Sequence, residues 1–122
     1  MDMNHVAVLG PGRIGRQIAL AFALGGCRVS LVDLKDRPAG EAAAVFADAR
    51  REIARDLRLM AEEGVIPAGE VAPALARLED RIGLDGLDAC EFVQEALPEL
   101  LDLKREILGR VSARVTPEAI IA

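Results

Sequence analysis

A chain of 122 residues, 52% of them apolar and with a net charge of −5, is long enough for one domain with a real core and too apolar to be disordered. No apolar run approaches the roughly 18 residues of a membrane span, and Met1–Asp2–Met3–Asn4 lacks the basic-then-apolar order of a secretory signal. An acidic chain with three Phe and no Trp or Tyr is also poorly made for stacking on nucleic-acid bases.

The charge is unevenly spread. Residues 1–37 carry five basic and three acidic groups, residues 38–80 five and nine, and residues 81–122 five and eight. Only the N-terminal portion is net positive, and it holds the chain's glycine-rich turn. Cys27 and Cys90 have neither metal-ligand spacing nor the density of a disulfide framework, so they read as buried or incidental thiols in a reducing cytoplasm.

In chain order, Val6–Ala7–Val8–Leu9 is an apolar strand running directly into Gly10–Pro11–Gly12–Arg13–Ile14–Gly15 and then a helix. This is the G-x-G-x-x-G pattern of a dinucleotide-binding turn. Gly10 permits the tight turn, Gly12 lets backbone approach a pyrophosphate, and Gly15 lets the helix pack against the strand. The first helical N–H groups, expected from Gly12, Arg13 and Ile14, then face the anion together with the positive end of the helix dipole. Pro11 has no N–H to contribute.

The helix shows an apolar face of Ile14, Ile18, Ala21 and Phe22 and closes at Gly25–Gly26. Residues 28–32 form a second strand ending in Asp33, 18 residues after Gly15, where an acidic side chain accepts hydrogen bonds from an adenosine ribose. Asp33 would repel the 2′-phosphate of NADP, so the pattern favours NAD. Lys35 and Arg37 follow in a turn-rich segment where a basic group can hold a 2′-phosphate, but with Asp33 at the strand tip they read as a solvated loop.

A long amphipathic helix is expected from Glu41 to about Glu63, with Phe46, Ala49, Ile53, Leu57, Met60 and Ala61 on one stripe and Arg51, Arg55, Arg58 and Glu62 away from it. Pro67 opens a shorter helix carrying Val71, Leu75 and Leu78, giving a helical hairpin between strands two and three. Arg81–Leu84 reads as the third strand and Glu91–Ala96 as the fourth. Glu95 and Ala96 then fall beside the glycine turn, at the point where open α/β sheets bind ligands. Pro98 begins a helix with Leu100, Leu103, Ile107 and Val111 buried, and Ala119–Ala122 forms a fifth strand. The fold class is α/β, a Rossmann-type parallel sheet of order 3-2-1-4-5 with an inserted hairpin, occupying residues 1–122.

The glycine turn, Asp33, the hairpin, the run Phe92–Glu99 (Phe-Val-Gln-Glu-Ala-Leu-Pro-Glu), Leu103–Lys104–Arg105 and the closing Pro117–Ala122 together resemble the NAD-binding half of the 3-hydroxyacyl-CoA dehydrogenases, particularly the 3-hydroxybutyryl-CoA type. The resemblance covers nearly the whole chain. It implies NAD as cofactor, Glu99 and Lys104 near its nicotinamide side, and hydride transfer from C3 of a 3-hydroxyacyl-CoA in the complete enzyme. It also implies a hairpin that touches the CoA moiety, although no sharp motif marks a CoA-binding residue here. Ile14 stands where many members have Met.

The family's Ser/Thr/Asn-rich turn, catalytic His–Glu pair and helical second domain lie outside these 122 residues. The sole histidine, His5, precedes strand one at the far end of the sheet and reads as a surface or edge residue, so no catalytic residue is assigned. The isolated chain is therefore expected to bind NAD weakly and not turn over. Two alternatives are a stand-alone NAD-binding or interaction module and the same domain from a dehydrogenase of another hydroxy acid. The apolar fifth strand is expected to invite self-association through its edge.

Overall fold

The computed structural model describes residues 4–38, 40–84, 86–96, 108–115 and 119–122. Its strands are β1 (His5–Leu9), β2 (Arg28–Asp33), β3 (Leu78–Ile82), β4 (Phe92–Glu95) and β5 (Ile120–Ile121). They form one sheet in the order β3-β2-β1-β4-β5, and every pairing is parallel. The expected order is therefore the observed one.

Parallel strands need crossovers, and the helices supply them. Helix α1 (Arg13–Leu24) links β1 to β2; α2 (Glu41–Glu62) and the short α3 (Val71–Ala76) link β2 to β3. The central strands are covered on both faces. On one face Val6, Val8, Val29 and Leu31 pack beneath α1 and α2 with Phe46, Ala49, Ile53 and Leu57. On the other, Ala7, Leu9, Val32 and Val93 meet Leu84, Leu87, Cys90 and Val111. Burying each Val or Leu is worth about 2 kcal/mol, and β1, buried at all five positions, anchors both layers.

Four local expectations are corrected. The buried residues of α1 are Gly15, Ala19, Leu20 and Ala23; of the expected face, Ile18 and Phe22 are half-buried against the core, while Ala21 is exposed and Ile14 is 68% exposed. Small side chains let this helix settle close to the sheet, and a pattern search for large apolar residues misses them. The second arm of the hairpin starts with a 3-10 turn at Ala68–Glu70 before α3 begins. Strand β3 begins at Leu78, which the sequence reading placed in the helix, and ends at Ile82. Its Leu-Glu-Asp-Arg-Ile alternation is that of a charged edge strand, a composition that discourages pairing with other chains.

His5 is the fourth correction. It is the first residue of β1 and buried, with Nε2 and Ser30 Oγ sharing a 2.7 Å hydrogen bond. An imidazole with a hydroxyl partner can occupy a sheet interior that would reject a bare one. Burial comes first among the causes that lower its pKa, followed by the Arg28 charge.

Candidate functional site

The carboxyl ends of β1, β2 and β4 meet at the glycine turn. Gly10 N–H donates to Val32 O at 2.8 Å, and Ala96 N–H donates to Leu9 O at 2.9 Å, so the turn is stitched to both neighbouring strands. The three glycines have different reasons to be glycine. Gly10 has φ +112°, and a Cβ there would lie 2.7 Å from Ala96 O. A Cβ on Gly15 would lie 1.8 Å from Gly10 O, so the helix could not sit where it does with any side chain at that position. Gly12 has an ordinary φ of −76°, and a Cβ there would meet nothing within 4 Å. Its missing side chain leaves room on the outside of the turn.

Helix α1 begins without a side-chain cap and without an acidic residue in its first turn. Its first intrahelical bond runs from Arg16 N–H to Gly12 O at 2.9 Å, so the preceding amides have no acceptor within the helix. The result is a local positive end. Pro11 is buried and Arg13 and Ile14 are exposed, which puts the side chains of both helical residues on the open side.

Asp33 closes β2 next to this turn and is only 1% exposed. Its carboxylate is engaged within its own loop. Oδ2 accepts from Arg37 Nε at 2.5 Å, while Oδ1 accepts from Lys35 N–H at 3.3 Å and Arg37 Nη2 at 3.4 Å. The expectation of a solvated loop therefore fails for Arg37, which is an ion-pair partner of Asp33. A buried carboxylate requires compensation, and the nearest flexible cation provides it. Lys35 is exposed as expected.

Glu95 lies opposite Leu9 in the β1–β4 register, and Ala96 packs its methyl carbon 3.6 Å from where a Gly15 Cβ would stand. Both are thus beside the turn, as their topology requires. Glu99 and Lys104 lie outside the described residues.

Sequence reasoning missed Arg16. Its Nε donates to Pro11 O at 2.8 Å, and its two terminal nitrogens reach Asp48 Oδ2 at 3.1 Å and Glu52 Oε2 at 2.7 Å. Gln17 adds a bond to Asp56 at 3.1 Å. Burial opposes the Arg16 charge, but the hydrogen bonds it donates to Glu52 and Asp48, together with the charges of those carboxylates, outweigh it and raise its pKa. The readable signal was on α2, where Asp48, Glu52 and Asp56 recur every four residues and form one acidic ridge.

A family model for the 3-hydroxyacyl-CoA dehydrogenase NAD-binding domain matches residues 5–122. The chain belongs to this family. Its NAD-binding domain is 32% identical over 121 residues to a 3-hydroxybutyryl-CoA dehydrogenase of Bradyrhizobium diazoefficiens, covering 98% of this chain and 39% of that protein. It is 29% identical over 119 residues to an L-carnitine dehydrogenase of Mesorhizobium japonicum, covering 98% of this chain and 30% of that one. The structure of (S)-3-hydroxybutyryl-CoA dehydrogenase from Ralstonia eutropha superposes with a TM-score of 0.84 at 30% identity, over 98% of this chain and 40% of that chain. The chain thus spans less than half the length of these relatives. NAD is the cofactor of this domain, and the family resemblance drawn from Asp33, the hairpin and the strand-four motif holds.

Proposed function

We propose that NAD lies across the carboxyl ends of β1, β2 and β4. In this reading Gly10, Pro11, Gly12, Arg13, Ile14 and Gly15 flank its pyrophosphate, and Asp33 takes the adenosine ribose. Glu95, Ala96, Glu99 and Lys104 serve the nicotinamide half. The observation that carries this assignment is Gly12. Among the described residues nothing would meet a side chain there, yet the space outside it borders the first amides of α1, which have no acceptor within the helix. A dinucleotide phosphate is the group that uses both features. The cofactor would supply the hydride acceptor, while the chain's own residues bind and orient it.

Residues 1–122 then form one NAD-binding domain that works with a second, helical domain of the complete protein. There the substrate would be a 3-hydroxyacyl-CoA, oxidised at C3 to the 3-oxoacyl-CoA. His5 is no candidate for the general base of that step. It begins β1, about 13 Å from the strand's carboxyl end at roughly 3.3 Å per residue, and its ring is held by Ser30. The relative named for L-carnitine carries a second reading, in which the hydroxy substrate is not a CoA thioester. Assaying the complete protein with 3-hydroxybutyryl-CoA and with L-carnitine separates the two. The edge of β5, where Ile120 is 44% exposed, is kept as a self-association surface; a strictly monomeric species in concentrated sedimentation runs removes it.

The cofactor assignment is tested at Asp33. Asp33→Ala should weaken NAD about tenfold or more, since hydrogen bonds to an ionised group are among the stronger ones. NADP should be weakened much less. Equal losses for both nucleotides in a fluorescence titration would remove Asp33 from the ribose site.

A further inference from the structure

The Asp33–Arg37 pair raises a difficulty for the cofactor site proposed above. A ribose hydroxyl must come within about 3 Å of a carboxylate oxygen to donate to it. Asp33 has 1% of its surface exposed, and Arg37 takes both of its oxygens. The Asp33 carboxylate is therefore closed to an incoming nucleotide until the guanidinium moves.

Arg37 is well suited to move. It sits in the 34–38 segment between β2 and α2, which is neither helix nor strand, and its side chain is 21% exposed. The carboxylate it bonds is four residues back, at the end of β2, so the pair spans only the first turn of the loop that Arg37 itself belongs to. The hydrogen bond to Asp33 is the first cause of its raised pKa, so Arg37 meets any ligand as a full cation.

We propose that Arg37 is a specificity-determining residue of the cofactor site, competing with the ribose hydroxyls of NAD for Asp33 and neutralising the charge by which Asp33 repels the 2′-phosphate of NADP. The proposal rests on the NAD reading of Asp33. Both effects have the same sign. Pairing withdraws an acceptor from NAD and cancels a repulsion that NADP would otherwise meet, so the intact pair narrows the difference between the nucleotides. A bare Asp33 would discriminate more sharply. The usual expectation for a basic residue in this loop is that its loss costs NADP alone; here its loss should also tighten NAD.

The experiment is a direct binding titration of NAD and NADP to the purified protein and to Arg37→Gln and Arg37→Lys. In Arg37→Gln, NAD should bind more tightly and NADP more weakly, with their affinity ratio rising about tenfold, the scale of one charge-assisted hydrogen bond. Arg37→Lys keeps the charge and loses the two-pronged grip, so NAD should tighten while NADP changes less than twofold. An unchanged ratio in Arg37→Gln, or a loss of affinity shared by both nucleotides, would reduce Arg37 to a loop-stabilising residue and overturn the proposal. A wild-type protein with no saturable NAD binding would overturn the cofactor site and the role of Arg37 with it. Saturable NAD binding that Arg37→Gln leaves unaltered would overturn the role of Arg37 alone. Superimposable thermal melts of the three proteins exclude misfolding as the source of any difference.

Discussion

At the scale of single residues, Gly12 and Gly15 occupy one short turn yet answer to different neighbours. A Cβ on Gly15 would overlap Gly10 O, whereas a Cβ on Gly12 would meet open space at an ordinary backbone angle. Gly15→Ala should therefore destabilise the fold by about 2 kcal/mol or more, by forcing α1 away from β1. Gly12→Ala should leave stability within about 0.5 kcal/mol while weakening NAD. Urea unfolding paired with NAD titration reads both quantities. Loss of stability in Gly12→Ala would mean that the space outside the turn is not open. The glycine positions were legible in the sequence because backbone geometry leaves few other uses for that spacing. The state of Asp33 was not. Its place at the end of β2 follows from strand length, but its pairing with Arg37 depends on how an irregular loop folds back, for which no periodic rule exists.

At the scale of elements, Arg16 ties the glycine turn to the hairpin. Through Pro11 O it holds the loop, and through Asp48 and Glu52 it holds α2. The two carboxylates are 54% and 42% exposed, so solvent screens much of their attraction, while the Arg16 side chain is 13% exposed. Arg16→Ala should cost about 1–2 kcal/mol, mostly from the bond to Pro11 O and lost packing. NAD affinity should fall with it, because the loop loses its brace. Urea midpoints and titration of this variant beside Asp48→Ala test the link; a stable Arg16→Ala with unaltered NAD binding would refute the brace. The parallel strands β1 and β2 and helix α2 were readable as continuous apolar runs or a clear helical stripe. Strand β3 and the buried face of α1 were not, since one is an edge strand rich in charges and the other is lined by Gly15, Ala19 and Ala23 with Leu20 as its one large side chain.

At the scale of the whole molecule, strand order was the most legible feature, because right-handed crossovers and a nucleotide-type turn leave few alternatives. The polar seam across β1, β2 and β3 could not be foreseen. There His5 bonds Ser30, Ser30 Oγ lies 3.5 Å from Glu79, and Glu79 pairs with Arg28. It gives the fold a pH dependence with a definite sign. Burial, with Arg28 nearby, lowers the His5 pKa below the usual histidine value. The unfolded chain then binds the proton more readily, so the stability from neutral His5 is present above about pH 6.5 and is lost as pH falls through the folded value. Glu79 is lowered first by its hydrogen bond from Arg28, and its contribution is likewise present above its unfolded value and lost on further acidification. Urea midpoints should fall from pH 7 to pH 5, and His5→Gln should flatten that slope. A wild-type profile that is level over this range would exclude His5 as its source.

The open space beside Gly12 also bears on how such a chain could drift. Gly10 and Gly15 are fixed by the molecule's own backbone, so any descendant that keeps the fold must keep them, whatever it does. In the proposed site, Gly12 is constrained by the cofactor and not by the described residues around it. A lineage released from its cofactor would be free to fill that position while the other two glycines stayed, and the middle glycine would record whether the domain is still in use.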